Sequence, residues 1–235
     1  MTIVNNFKKL KNQTALGPHS ELNFSLFNSN YSRIMLQSSG HLATERPLNM
    51  NLKIKKILYF WFVETPDEKK FQKDFKFDQV IKGRFLNDYE LASQNKLDDW
   101  QDTDRGCLAL IILLDQFSRN LFRESGKAFE QDEKSRSVLL KIIANNFLDK
   151  MNESERLFAL LPLIHSESIS DHEKAYELMW KYLKNHSDLE KIKKFWLDHT
   201  AVIKRFGRYP HRNKVLNRVS SDDEVEFLNS PNSSW

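Results

Sequence analysis

Ten residues, KRFGRYPHRN at 204–213, hold four basic side chains, a histidine, an asparagine and two aromatics. Arg208 and Arg212 carry planar guanidinium forks that match the oxygens of a carboxylate or a phosphate. His211 can give or take a proton near neutral pH, and Asn213 adds an amide. Gly207 supplies a left-handed turn that ends the preceding helix, and Pro210 prevents its resumption. The stretch therefore reads as a pinned loop suited to an anion. Arg205, Arg208 and Arg212 cannot all point one way, so at least one is expected to bond the freed carbonyls or the carboxylate of Asp115 or Glu167.

A second stretch, LPLIHSESISDHEKA at 161–175, places His165, Ser166 and Glu167 just after Pro162. Pro162 lacks an N–H and is expected to end or kink the helix begun near Glu153. His165 and Glu167 suit proton transfer or the orienting of a ligand. Their spacing, even with Asp171 and His172 nearby, matches no zinc signature, and no metal is expected. Nothing marks Ser166 as a nucleophile on a strand-to-helix elbow.

A third stretch, LALIILLDQFSRNLFR at 108–123, is apolar on every side up to Leu114 and then turns polar. It reads as a central, buried helix. Asp115 and Arg119 lie four apart on one face and are assigned as a structural pair, while Gln116 and Asn120 are placed to face a cavity. A partly buried carboxylate at Asp115 needs a partner or must keep its proton. His199 interrupts the apolar stripe of Ile192, Phe195, Trp196, Ile203 and Phe206, which leads directly into the loop. These stretches together assign His165, Glu167 and His211 to acid–base chemistry. Ligand binding falls to Gln116, Asn120, Ser166, His199, Arg208, Arg212 and Asn213.

The elements that must position these groups are helices. The strings TPDE (65–68), NESE (152–155), SDHE (170–173), SDLE (187–190) and SDDE (221–224) all fit the capping-box pattern. Between them, FDQVIKGRFLNDYELA and RSVLLKIIANNFL repeat apolar residues at helical spacing. No stretch shows convincing strand alternation. The fold class is all-α, with eight or nine helices in antiparallel pairs joined by brief connections.

Composition agrees. With 235 residues, 40% hydrophobic and 29% charged, the chain suits one well-cored soluble domain. The longest strictly apolar run, CLALIILL at 107–114, is far short of the roughly 20 residues that cross a bilayer, so no membrane partner is expected. The single cysteine, Cys107, allows no intrachain disulfide and fits a reducing compartment. The net charge of +4 is unevenly spread, with nine Lys/Arg against one acid, Asp198, in residues 191–218. Such a segment attracts anions, although Lys191, Lys193 and Lys194 read as the solvated face of a helix. Residues 1–49 are rich in Asn and Ser and poor in acids. They read as an unstructured extension or a leader, with residues 50–235 as a single helical domain. The compartment is cytoplasmic, or organellar if residues 1–49 are a transit peptide.

ILYFWF, LALIILLDQFSRN, LPLIHSES and RFGRYPHRN followed by LNRVSSDDE stand in the order and approximate spacing of the bacterial proteins grouped as domain of unknown function 924. The chain resembles that family over residues 54 to about 228. The resemblance implies an all-helical, tetratricopeptide-like fold and no established activity. Ser118 stands where the family has proline, His172 near its usual glutamine, Tyr209 for phenylalanine and Asn217 for glycine. Asp115, Gln116, Arg119, Asn120, His165, Ser166, Glu167, His199, Gly207, Arg208, His211, Arg212 and Asn213 match its strings.

Three functions follow from these readings. The first is an arginine- and histidine-rich pocket that takes a small anionic ligand, a phosphate or a carboxylate, with acid–base capacity; no cofactor is specified. The second is a tetratricopeptide-like module that binds a protein in a helical groove, against which no 34-residue repeat is present. Nucleic-acid binding through residues 191–218 ranks third, because +4 overall is weak for that purpose.

Overall fold

The computed structural model describes residues 41–231 and residue 233. Residues 48–235 form one compact unit and residues 1–47 another, of which residues 41–47 are described and helical. The expected extension over residues 1–49 thus lies, up to residue 40, outside the described residues. From His41 onward the chain is in the first helix among the described residues.

That helix, α1 (His41–Tyr59), runs on through a π-helical turn at Phe60–Glu64. A short α2 (Asp67–Lys70) precedes α3 (Phe75–Ser93). Then comes a rod: α4 (Asp104–Ile111), a π-helical turn (Ile112–Phe117) and α5 (Ser118–Leu121). The second half holds α6 (Asp132–Ala144), α7 (Glu153–Ile164), α8 (Ile169–Tyr182), α9 (Leu189–Phe206) and α10 (Asp222–Leu228). The described residues contain no strand, and the protein is all-α. No helix among them is long and apolar enough to cross a membrane.

The rod is the centre of the core. Every residue from Gly106 to Ser118 is buried, because Cys107–Leu114 is apolar all round and cannot present any face to water. α3, α6 and α7 pack around it, and α8 and α9 continue the stack outward from α7. Each fully buried leucine or isoleucine contributes roughly 1.5–3 kcal/mol. At the rod's polar end, Phe60, Phe85 and Phe117 close the core with ring centroids 4.9 Å apart for Phe60–Phe85 and for Phe85–Phe117. Aromatic pairs at such spacing add about 0.5–1.5 kcal/mol beyond their buried area.

Two of the five expected capping boxes form, at Asn152/Glu155 and Ser221/Glu224. Thr65 does not cap α2; its hydroxyl donates to the Phe60 carbonyl, 2.8 Å away, and so closes the π-helical turn behind it. α8 starts two residues early, with Ser168 at its cap, and α9 starts from Asp188 with no side-chain bond. Asp74 and Thr103 instead cap α3 and α4. α7 continues two residues past Pro162 to Ile164, a short enough run that the missing N–H falls in its last turn. Gly207 ends α9 at φ 68°, donating to the Ile203 carbonyl at 2.8 Å, as its type demands. Asn217 also adopts a left-handed φ of 54°, a conformation that asparagine tolerates better than most residues.

Gly106 is required for packing. A Cβ there would lie 2.0 Å from the Trp100 carbonyl oxygen, whereas one at exposed Gly83, inside α3, meets nothing within 4 Å. Gly106→Ala is therefore expected to destabilise the protein by about 2 kcal/mol and to lower Tm by about 4–8 °C. Gly83→Ala is expected to raise stability by about 0.5–1 kcal/mol through helix propensity. Thermal denaturation of the two variants beside the wild type checks both signs.

Candidate functional site

The site begins where the rod turns polar. Asp115 is wholly buried, and a carboxylate there is tolerable only with partners. It accepts hydrogen bonds from Gln116 Nε2, from Arg119 Nη2 at 3.4 Å and from His165 Nδ1 at 2.6 Å. Burial opposes its ionisation, but the His165 and Arg119 charges and these hydrogen bonds outweigh it and hold the carboxyl below its ordinary value. His165 reaches it from the C-terminus of α7, where its own N–H closes on the Leu161 carbonyl at 2.9 Å. The proline-containing last turn thus aims the imidazole at the rod. His165 keeps 15% of its side chain exposed, and Nε2 has no hydrogen-bond partner among the described residues.

Arg119 extends the network. It donates to the Ala128 carbonyl and pairs with Asp132 at 2.7 Å. Arg212, almost fully buried, pairs with the other oxygen of Asp132 at 3.1 Å. Its guanidinium lies 4.5 Å from the ring centroids of both Phe129 and Tyr209, a stacked arrangement that favours arginine over lysine. Asp132 therefore links two arginines from distant parts of the sequence. Its string, QDEKSRS, carries no spacing that would have singled it out.

Glu167 accepts two bonds from Arg218, at 2.6 and 3.0 Å, and one from the Tyr209 N–H at 2.9 Å. Burial raises its carboxyl, but Arg218 and the amide outweigh that effect and keep it ionised. Glu167 thus fastens the 207–218 loop to the end of α7. The Tyr209 hydroxyl donates to the Ile164 carbonyl and fastens it a second time. With its oxygens so engaged, Glu167 is less suited to carry a proton than His165.

Three further imidazoles lie near His165. His199 and His211 are both pushed down to about 3, first by burial. The His165 charge adds to the shift in each, and Arg212 adds to that of His211. Both are therefore neutral at physiological pH. His199 Nδ1–H donates to the Phe195 carbonyl at 2.8 Å. His172, lowered chiefly by burial, donates from Nε2 to the Ser166 carbonyl at 3.0 Å and accepts at Nδ1 from the Thr200 hydroxyl at 2.9 Å.

The expected site residues divide into two groups. Asp115, Gln116, Arg119, His165, His199, His211 and Arg212 gather around one buried network, with Glu167 bracing it. Ser166 donates to Asp171 at 2.6 Å. Asn120 turns the other way, donating to Asp78 on α3 at 2.8 Å beside Arg123. Arg208 and Asn213 serve α10: Arg208 grips Glu224 with two bonds, at 2.6 and 2.7 Å, and Asn213 Nδ2 approaches the same carboxylate at 3.3 Å. Arg208 thus pairs with neither Asp115 nor Glu167. Among the described residues no group of three or more His, Cys, Asp or Glu side chains is placed to hold a metal. Two clefts lie elsewhere, of about 330 Å³ between α9 and α10 and about 230 Å³ between α6 and α8. Neither includes His165.

The Glu224 clasp has a pH signature. Arg208, the capping-box amide and Asn213 overcome burial and hold this carboxyl at about 2, against an ordinary 4.5. Its contribution is therefore fully present above pH 4.5 and is lost as pH falls through about 2. Urea denaturation of wild type and Glu224→Gln is expected to show a stability gap that grows from pH 2 to pH 5 and is flat above. A gap independent of pH would contradict this account.

The chain matches the family described as "Bacterial protein of unknown function (DUF924)" over residues 57–232. Its fold is similar to that of the protein of unknown function ATU0120 from Agrobacterium tumefaciens, with a TM-score of 0.69 and 31% sequence identity. That match covers 77% of this chain and 98% of the other. No curated protein matches the chain. A sequence match that runs from the last turns of α1 to beyond α10, joined to a shared fold, makes this chain a member of the DUF924 family of bacterial proteins of unknown function.

Proposed function

We propose that this protein binds a small anionic molecule at His165 and can exchange a proton with it through the Asp115–His165 pair. One observation carries the reading. A buried carboxylate holds Nδ1 of His165 at 2.6 Å, while Nε2 stands without a partner at a partly exposed position. This arrangement fixes the tautomer, orients the ring and stabilises the imidazolium when a proton arrives. Asp115 is then the orienting group and His165 the proton carrier. Arg119 and Arg212 brace the pair, their charges matched by Asp115 and Asp132, and the neutral imidazoles of His199 and His211 provide a polar surround that adds no repulsion for a cationic intermediate state. Glu167 and Arg218 act as positioning residues for the loop.

Two other readings draw less support. A protein-binding module fits the clefts between α6 and α8 and between α9 and α10, but those clefts do not explain why a carboxylate is buried beneath a histidine. Nucleic-acid binding through residues 191–218 loses force because six of its nine cations are paired with acids. Lys191, Lys193 and Lys194 pair with Asp188, Glu190 and Asp198, and Arg208, Arg212 and Arg218 pair with Glu224, Asp132 and Glu167.

A thermal-shift screen against phosphorylated and carboxylated metabolites tests the proposal. A ligand at about 100 times its Kd adds roughly 2.7 kcal/mol, or about 5–10 °C for a protein of this size. His165→Ala is expected to abolish the shift. Arg208→Ala is expected to lower the starting Tm yet keep the shift, because its partner is the α10 cap. Retention of the shift in His165→Ala, with loss in Arg208→Ala, would move the ligand to the loop's outer arginine and overturn the assignment.

A further inference from the structure

The polar network around His165 is balanced internally. Three carboxylates, Asp115, Asp132 and Glu167, are matched by three guanidiniums, Arg119, Arg212 and Arg218. An incoming anion therefore meets no surplus positive charge while the imidazoles are neutral. The tautomer of His165 adds a second constraint. Asp115 already accepts from Gln116 and Arg119 and can only accept again, so Nδ1 of His165 carries the hydrogen. A neutral His165 then presents a lone pair at Nε2, and a hydrogen-bond acceptor does not bind an oxyanion that offers only acceptors.

We infer that His165 Nε2 accepts a hydrogen bond from the ligand's own O–H, so that the site selects a protonated oxyanion of the phosphate type over fully deprotonated anions such as sulfate or a carboxylate. This rests on the anion-site reading above and narrows its ligand class. Inorganic phosphate and phosphate monoesters, with a second pKa of about 6 for the monoester, retain a proton on part of the population near neutral pH. Sulfate does not. The same network also holds two unspent donors. Arg212 Nε and Arg218 Nε are buried N–H groups with no hydrogen-bond partner among the described residues. Buried donors left unspent cost stability until a ligand or water uses them.

Charged and titratable groups face His165 from every element around it. They are Asp115 and Arg119 of the rod, Asp132 at the start of α6, Asp171 and His172 of α8, and His199 of α9. The loop adds Tyr209, His211, Arg212 and Arg218, with Glu167 beneath it. Protonating His165 turns Nε2 into a donor, and the discrimination between the two oxyanions then disappears.

The test uses the full chain labelled with ¹⁵N-histidine and titrated with sodium phosphate or sodium sulfate at constant ionic strength. At a pH where the nitrogen spectrum shows His165 singly protonated, phosphate is expected to move the Nε2 resonance. It should also bind about 10- to 100-fold more tightly than sulfate, the size expected for an acceptor facing an acceptor. At a pH where the same spectrum shows the imidazolium, sulfate is expected to come within about threefold of phosphate. His165→Gln, whose amide can donate or accept, is expected to close the gap at both pH values. If that variant does not fold, the two titrations of the wild type decide alone. Equal affinities on singly protonated His165 would overturn the inference and leave the anion site standing. No response of His165 to either anion at any pH would overturn both.

Discussion

A single buried charge organises this half of the protein. Asp115 sits at the end of a rod that is apolar on all sides, in a setting where a lone carboxylate is not tolerable. Its partners must come to it, and they come from three places in the sequence: its own rod, the end of α7, and through Arg119 the start of α6. Asp132 then passes the requirement on to Arg212, and Arg212 is held flat between Phe129 and Tyr209. The geometry of the 207–213 loop thus follows from neutralising a charge more than ninety residues earlier in the chain.

Internal neutrality is what separates this network from a simple basic pocket. A cluster of arginines on a loop suggests an open anion trap. Once each guanidinium is seen to hold a carboxylate, the positive field is spent on the fold itself. What remains is finer: a lone pair on one imidazole, two unspent N–H groups and a proton that can be added or removed. Such a site discriminates by hydrogen-bond direction more than by charge. Removing one partner of a buried pair commonly costs about 3–5 kcal/mol, so these residues are tied to stability as firmly as to any ligand.

Much of the architecture was legible before the structure. The all-apolar run Cys107–Leu114 announced a central helix because no face of it can meet water. The Asp115–Arg119 pair followed from four-residue spacing, and Gly207 from the need for positive φ at a helix end. Capping boxes were less reliable guides. Asn152 and Ser221 formed theirs, whereas Thr65 found a nearer acceptor in Phe60 and Ser170 was bypassed when α8 began at Ile169. A cap motif states a local possibility, and competing bonds a few residues away decide it.

The sequence by itself determined the helices, the buried rod and the set of polar residue types that must be satisfied at its end. Those depend on periodicity, turn chemistry and composition, which act over a few residues. Only the tertiary structure decided which partner each charge took. Arg208 went to Glu224 and Arg218 to Glu167, and Arg119 and Arg212 share Asp132. Asn120 faced Asp78 on α3, away from the histidines. Ion pairs between distant segments have no spacing rule: any arginine can serve any carboxylate. The choice is made when packing brings particular ends of helices together and desolvation penalises whatever is left unpaired.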